Sequence, residues 1–348
     1  MILFVVFGVI VIFGVLEILS LKFSEKAVHT HIETDLSLCA PDEEITLKYS
    51  ITNSSFLPFI YVGISIYFGE GVKVYPPEKD GQKWKLLNDF SGLHVEQRMH
   101  LLPHGKRTGR VRFSIKNRGV FTVGQHYVEE GDYLGIKTAV RTEYGASRII
   151  CTAKAWEDEP EFRPLGGLLG DVSVMRFIHE DPCLIVGYRD YTGREPMKQI
   201  SWYQSAKTGR LTVKQQDHTA QADVAVLLNM EGGNRQALEQ CLSLTRSVCE
   251  KLEAQKIPYI FRSNGDLWDV AEGVGRSHLF PILRSIGLSR LSCYTPFSAL
   301  ADRCIREGNS NRTYIIISDD APSAAINKIQ AYSEHRVISL NVKAGDKA

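Results

Sequence analysis

The residues whose types and spacing could do chemistry fall into two groups. The first lies between Tyr188 and Asp217, where basic and aromatic residues follow one another closely. From Lys198 to Lys214 this stretch holds four basic residues and no acid. Such a run can form an electropositive surface for an acidic protein or an anionic membrane leaflet, or it can be a solvated or internally paired face.

The second group could supply oxygen ligands. Asn229 and Glu231 follow one predicted buried strand, and Asp319 follows another. Ligands of this kind suit a hard cation, and a metal-dependent hydrolase would use Glu231, Asp319 and Asp320. The chain contains no Gly-x-Ser-x-Gly, His-Glu-x-x-His or Walker phosphate-loop motif that would support catalysis. We therefore predict a protein without enzymatic activity, with the hydrolase as the alternative.

The overall composition is that of an ordinary globular protein. Of its 348 residues, 44% are hydrophobic and 23% are charged, and the formal net charge is +1. Because this balance gives no general attraction for polyanions, we expect no nucleic-acid partner. The seven cysteines are scattered without Cys-x-x-Cys spacing, which is typical of reduced thiols in a reducing compartment.

The first 21 residues are apolar except for Glu17 and Ser20. About 20 residues at a rise of ~1.5 Å span the ~30 Å core of a bilayer, so residues 1–21 are predicted to be a transmembrane anchor. A cleaved signal peptide and a buried helix are the alternatives. Lys22 and Lys26 follow the apolar segment and no basic residue precedes it, which places the C-terminal portion in the cytoplasm of a single-pass membrane protein. The opposite orientation would suit an extracytoplasmic adhesion protein.

Residues 27–155 are predicted to form an antiparallel β-sandwich of the immunoglobulin-like type, with about seven strands. Ile45–Asn53 and Tyr61–Phe68 alternate apolar with polar or small residues, as half-buried strands do. One run of basic residues fits either a charged sheet rim or a contact with anionic lipid or an acidic partner. This run consists of Lys106, Arg107, Arg110 and Arg112.

Residues 156–187 contain prolines and glycines and are predicted to be a linker. In residues 188–343 the pattern changes, because Asp223–Asn229 and Tyr314–Ser318 are continuous apolar runs typical of buried parallel strands. The segment Gln236–Gln255 has the apolar stripe of an amphipathic helix. We therefore expect a doubly wound α/β sheet with helices on both faces and its ligand crevice at the carboxyl ends of the strands.

A spaced pattern runs through residues 188–217. It consists of an Arg, an aromatic residue and a Gly, then Ile-x-Trp, then Ser-Ala with a basic residue, then Leu-x-Val. The matching positions are Arg189, Tyr191, Gly193, Ile200, Trp202, Ser205, Ala206, Lys207, Leu211 and Val213. The pattern resembles the signature of the domain of unknown function 58 family. The chain departs from that signature at Arg194, where the family has Asp, and at Lys198 and Lys207, where it has Arg.

A second stretch, Arg118–Ile136, resembles another motif of this family, with Tyr133 in the position of a proline. The resemblance covers nearly the whole chain and implies a bacterial membrane-anchored protein whose C-terminal half is similar to a von Willebrand factor A domain. Members are often encoded beside a MoxR-type AAA+ ATPase, so such an ATPase is the protein partner that the resemblance implies. It implies no established catalytic activity.

The resemblance also bears on metal binding. Von Willebrand A domains that bind metal use Asp-x-Ser-x-Ser in one loop, a Thr in a second and an Asp in a third. Here the first loop has Asn229, Glu231 and Gly233, while Thr295 and Asp319 could fill the other roles. Because the carboxylate is replaced by an amide and both hydroxyls are missing, we expect a metal-free docking surface without a cofactor. A degenerate Mg²⁺ site is the alternative.

We expect a partner to bind the signature stretch. The candidate binding residues are Arg189, Tyr191, Arg194, Lys198, Trp202, Lys207 and Arg210. Ile200 and Trp202 are predicted to be packing anchors that join the two domains, since aromatic side chains bury a large area. The function that these features favour is a membrane-anchored interaction scaffold that assists the assembly or maturation of cell-envelope complexes.

Overall fold

In the computed structural model of this chain, the described residues are 7–8, 11–12, 14–15, 26–76, 84–89, 92–131, 138–156, 180–193, 197, 200–218, 224–232, 234–307, 312–319, 323–333 and 337–342. The chain divides into two compact units, Met1–Lys154 and Ala155–Ala348. Each unit has its own sheets.

The predicted anchor is described at three pairs of residues, 7–8, 11–12 and 14–15, and each pair is helical. The rest of residues 1–21 lies outside the described part of the chain. Among the residues that the structure describes, no helix has both the length and the apolar character needed to cross a bilayer.

The first unit is a β-sandwich. Its described strands are β1 (Val28–Thr34), β2 (Leu38–Cys39), β3 (Ile45–Asn53), β4 (Phe59–Phe68), β5 (Val72–Val74), β6 (Lys85–Asp89), β7 (Gly92–Leu101), β8 (Lys106–Ile115), β9 (Gly119–Gly131) and β10 (Thr138–Cys151). They form a four-stranded sheet in the order β1-β3-β8-β5 and a six-stranded sheet in the order β2-β10-β9-β4-β7-β6. Except for the parallel β2–β10 pair, the pairings are antiparallel.

One hydrophobic core lies between the two sheets. Alternate residues of β3, Ile45, Leu47, Tyr49 and Ile51, are buried and belong to the same cluster as Ile64 of β4. Since successive side chains of a strand point to opposite faces, this alternation is what a half-buried strand requires. The predicted β-sandwich is confirmed. The sequence pattern did not reveal β2, β5 and β6, because strands of two to five residues are too short to show a clear alternation.

The second unit contains a two-stranded antiparallel sheet of β11 (Glu180–Asp190) and β12 (Thr212–His218), with helix α1 (Trp202–Thr208) between them in the chain. It also contains a five-stranded sheet in the order β15-β14-β13-β16-β17. These five strands are β13 (Val224–Leu228), β14 (Tyr259–Ser263), β15 (Val270–Gly273), β16 (Thr313–Ser318) and β17 (Val337–Asn341). Four of them are parallel and β15 is an antiparallel edge strand.

Helices cover both faces of the five-stranded sheet. They are α2 (Arg235–Ala254), α3 (Arg276–Leu288), α4 (Phe297–Glu307) and α5 (Ser323–Tyr332). On one face, Ala225 and Tyr314 form a core with Phe297 of α4 and Ile329 of α5. Helix α2 contacts β13, β16 and α3, and the intervening strand residues such as Ile315 are also fully buried. The sheet is therefore open, largely parallel and covered on both sides, which brings the loops after β13, β14 and β16 to one edge.

Candidate functional site

Hydroxyl groups hold helix α1 against strand β12. The Ser205 hydroxyl is buried, donates to the carbonyl of Ser201 (2.8 Å) and accepts from the backbone N–H of Thr212 (2.9 Å). The backbone N–H of Ser201 donates in turn to the carbonyl of Thr212 (2.9 Å). A buried hydroxyl that both donates and accepts leaves no polar group unsatisfied, so this contact fixes the helix on the strand.

Two apolar residues and a glycine complete this contact. Ile200 and Val213 pair through an isolated β-bridge and are 5% and 1% exposed. Gly209 ends α1 in the left-handed conformation, with φ of 69°, and its N–H donates to the carbonyl of Ser205 (2.9 Å). Glycine adopts this conformation without steric cost. Ile200, Ser205 and Val213 of the signature therefore have structural roles.

The prediction that Trp202 is a packing anchor is wrong. Its side chain is 61% exposed, and the neighbouring Tyr203 is 80% exposed. The reason is that α1 meets β12 through hydroxyl and backbone groups and through Ile200, and the indole lies outside that contact. Ile200 is buried, as predicted.

The exposed side of this segment combines apolar and basic groups. Tyr188 and Leu211 are 45% and 47% exposed, and Lys207 and Arg210 are also exposed. We give the name aromatic–basic surface to six exposed residues of this segment. These residues are Tyr188, Trp202, Tyr203, Lys207, Arg210 and Leu211.

The structure places the other predicted binding residues as follows. Arg189 is exposed on β11, where it pairs with Val213 of β12. Tyr191 is half-buried, and its backbone N–H donates to the carbonyl of Leu211 (2.8 Å). Arg194 and Lys198 lie outside the described residues. Exposed aromatic and arginine side chains are the groups that most often supply binding energy in protein interfaces.

The carboxyl edge of the five-stranded sheet is organised by two buried amides. Asn229 is 1% exposed, and its Oδ1 accepts from the backbone N–H of Glu231 and from Nδ2 of Asn264, both at 2.9 Å. Its Nδ2 donates to the hydroxyl of Ser318 (3.0 Å). Oδ1 of Asn264 accepts from the backbone N–H of Met230 (2.7 Å). This amide network joins the ends of β13, β14 and β16.

The Glu231 side chain accepts a hydrogen bond from the N-terminus of helix α4. Its Oε2 accepts from the backbone N–H of Phe297 (2.7 Å), the first residue of that helix. A carboxylate at a helix N-terminus satisfies a free N–H and interacts favourably with the helix dipole. Thr295 is exposed, and its N–H donates to the carbonyl of Asn264 (3.2 Å).

This arrangement does not fit the Mg²⁺ site that the resemblance suggests. Both acceptor positions of the Asn229 oxygen are already used, and Oε2 of Glu231 accepts from the N-terminus of α4. Asp319 is half-buried after β16, and Asp320 lies outside the described residues. Within the described part of the chain, no group of three or more His, Cys, Asp or Glu side chains could hold a metal ion.

Sequence reasoning missed Asn264 and Ser318, which complete the amide network. The available signal was Asn264-Gly265, a turn dipeptide directly after β14. Gly265 is required there, since a Cβ atom would lie 2.7 Å from both Cγ of Met230 and the carbonyl oxygen of Ser292. Such contacts are closer than packed atoms allow.

No family model matches the sequence, and no curated protein matches it. Solved structures show weak similarity. A cohesin module from a family 33 glycoside hydrolase of Clostridium perfringens is 11% identical, over 36% of this chain and 96% of that chain, with a TM-score of 0.27. The major pilin subunit of Bacillus cereus is 5% identical over 36% and 41% of the two chains (TM-score 0.26). A type II cohesin domain from the Acetivibrio cellulolyticus cellulosome is 10% identical over 35% and 95% (TM-score 0.24). Similarities this low carry no argument about function.

Proposed function

We propose that this chain is a membrane-anchored interaction protein without catalytic activity, and that its aromatic–basic surface binds an acidic site on a protein partner. The observation that carries the proposal is the exposure of Trp202 and Tyr203 beside Lys207 and Arg210. No acid occurs between Lys198 and Lys214. An acidic partner complements this charge, while the two aromatic rings provide apolar area at the centre of an interface.

The resemblance to the domain of unknown function 58 family supports the same proposal. The signature positions divide into buried residues that hold α1 on β12 and exposed residues that are available to a partner. The open, largely parallel sheet with helices on both faces is compatible with a C-terminal half similar to a von Willebrand factor A domain. On this resemblance the partner is a MoxR-type AAA+ ATPase, and the process is the assembly or maturation of cell-envelope complexes.

Membrane attachment rests on the sequence of residues 1–21. Their length and apolar character suit a single span. Lys22 and Lys26 favour a cytoplasmic position for the folded units. The hydrolase alternative gains no support from the carboxyl edge, where Asn229 and Glu231 are engaged by the amide network and by α4.

The experiment is site-specific photo-crosslinking in native membranes, followed by titration of the purified partner. A photo-reactive residue at Tyr203 should capture the partner, and the same group at Tyr144, which is 78% exposed in the first unit, is the matched control. Trp202→Ala should weaken binding about 30-fold, which is the ~2 kcal/mol expected of an interface hot spot. The double variant Lys207→Glu and Arg210→Glu should slow association.

Two outcomes would refute the proposal. One is capture of the same partner with equal yield from Tyr203 and Tyr144. The other is an unchanged affinity of Trp202→Ala for a partner that crosslinks at Tyr203.

A further inference from the structure

At one end of the β-sandwich, several large apolar side chains are exposed to solvent. Phe56 and Leu57 lie in the loop between β3 and β4 and are 83% and 41% exposed. Ile60, near the start of β4, is 62% exposed, and Leu102, in the turn between β7 and β8, is 61% exposed. We call these four residues the apolar tip.

Hydrogen bonds and a ring contact hold the two loops of the apolar tip together. The side chain of Asn53 is buried, and its Nδ2 donates to the carbonyl of Leu57 (2.7 Å) and to that of Leu102 (3.0 Å). The backbone N–H of His104 donates to the carbonyl of Ser55 (3.1 Å). The rings of Phe56 and His104 meet edge to face, with centroids 5.6 Å apart. The two loops are thus held together with their apolar side chains facing outward.

The chain enters the sandwich at this same end. The backbone N–H and the hydroxyl of Ser54 both donate to the carbonyl of Ala27, at 2.8 and 3.1 Å. Ala27 is six residues beyond Leu21, the last residue of the apolar segment. Six residues of extended chain cover at most about 20 Å. The proposed anchor therefore places Ala27, at the end of the sandwich that carries the apolar tip, within about 20 Å of the membrane surface.

The charge of this end suits an anionic surface. The three segments that meet here, 26–31, 51–60 and 99–107, contain no Asp or Glu. They carry Lys26, Lys106 and Arg107, all of which are exposed. Three acids lie next to these segments, and each is engaged by another residue. Glu143 accepts from the hydroxyl of Thr30 and pairs with Arg141, Glu129 accepts from the hydroxyl of Tyr61, and Glu130 pairs with Arg141.

We propose that the apolar tip inserts into the interfacial region of an anionic bilayer, beside the anchor. Phe56, Leu57 and Leu102 would enter the boundary between headgroups and acyl chains, where apolar side chains of peripheral proteins lie. Lys106 and Arg107 would meet lipid phosphates. This inference rests on the proposed membrane anchor. It adds a second contact, which fixes the orientation of the sandwich on the membrane.

The test uses the full chain in lipid nanodiscs made with ordinary or brominated acyl chains, which quench nearby tryptophan. Phe56→Trp places the probe on an exposed position of the apolar tip. Val120→Trp is the matched control, because Val120 lies at the other end of β9 from the apolar tip. Glu130 of β9 pairs with Val62, which is two residues beyond Ile60, and Val120 is ten residues along β9 from Glu130, or about 33 Å at the rise of a strand. Emission of the wild-type chain, with its four tryptophans, is subtracted.

We expect brominated lipid to quench the added emission of Phe56→Trp and to leave that of Val120→Trp unchanged. Equal emission of Phe56→Trp in the two lipids would overturn the proposal. Flotation with the bilayers at high salt distinguishes failure of the inserted tip from failure of the membrane anchor. A chain that floats without quenching refutes only the inserted tip, whereas a chain that does not float refutes the anchor as well.

Two further measurements identify the surface that is bound. Replacing Lys106 and Arg107 by Gln should remove any excess of quenching in phosphatidylglycerol over phosphatidylcholine. Leu102→Trp provides a second probe on the apolar tip and should also be quenched. If Phe56→Trp instead shifts its emission equally in both lipids and the protein has a dimeric mass, a second copy covers the tip and the lipid proposal is wrong.

Discussion

The aromatic–basic surface and the carboxyl edge of the five-stranded sheet use polar residues in opposite ways. At the carboxyl edge, Asn229 and Asn264 are 1% and 2% exposed, and their hydrogen bonds join three strands. On the aromatic–basic surface, Trp202 and Lys207 are exposed, whereas Ser205 of the same helix is buried against β12. Residues that look like a site in the sequence are thus structural at one place and available for binding at the other. The difference lies in whether their hydrogen-bonding groups are already satisfied within the fold.

The largest effect that would test this comparison is expected from Asn264→Ala. The change leaves the N–H of Met230 and the Oδ1 of Asn229 each without one partner in a buried place. We expect the free energy of unfolding to fall by about 2–4 kcal/mol, since each unsatisfied buried group costs about 1–3 kcal/mol. Chemical denaturation measures this change.

The matched control for that change is Asn234→Ala. Asn234 is exposed and caps helix α2 by accepting from the N–H of Ala237 (2.8 Å). Loss of such a cap costs about 1 kcal/mol. If both variants lose the same free energy of unfolding, the buried amide network contributes no more to stability than an exposed helix cap does.

A second, smaller effect compares two positions of the signature. Ser205→Ala removes the hydroxyl that links Ser201 and Thr212, so we expect a loss of about 1–2 kcal/mol and faster hydrogen exchange across α1 and β12. Trp202→Ala should change the free energy of unfolding by less than about 0.5 kcal/mol, because the indole is exposed. A larger loss for Trp202→Ala than for Ser205→Ala would mean that the indole packs in the fold.

The smallest effect concerns the reactivity of three thiols in the second unit. Burial raises the pKa of the Cys249 thiol to about 12 and that of Cys304 to about 11. Cys293 is the exposed one among the described cysteines, although partial burial also raises its pKa. Because the thiolate is the reactive form, we expect maleimide to label Cys293 first, and faster as the pH rises from 7 to 9.

The same labelling tests the orientation of the chain. Cys293→Ser is the control, and it should remove most of the labelling of the native protein. In intact cells an impermeant maleimide should leave Cys293 unmodified, because the folded units are proposed to be cytoplasmic. Labelling of Cys293 from outside the cell would contradict that orientation.

Much of the fold could be predicted because local patterns encode it. The alternation of Ile45–Asn53 predicts β3 with the bounds that it has, and the apolar stripe of Gln236–Gln255 predicts α2 within one residue. The antiparallel edge strand β15 was missed, since its four residues, Val270–Gly273, have no apolar alternation. Periodicity is informative only when an element is long enough to repeat it.

The candidate sites were harder to predict because they depend on contacts between distant parts of the chain. Asn229, Asn264 and Ser318 meet only after three parallel strands have aligned their ends. Trp202 was expected to be buried because of its size, but the sequence does not say that a serine hydroxyl takes the inner side of a short helix. Residue type indicated which groups could bind, and only the fold indicated which of them remain free to do so.

The most direct test of the central claim uses the partner captured at Tyr203. Its affinity is measured for the Trp202→Ala variant and for the wild-type chain, with both proteins equally stable. The account predicts binding about 30-fold weaker with an unchanged free energy of unfolding. Wild-type affinity in the variant would contradict it, because the partner would then bind without the aromatic–basic surface.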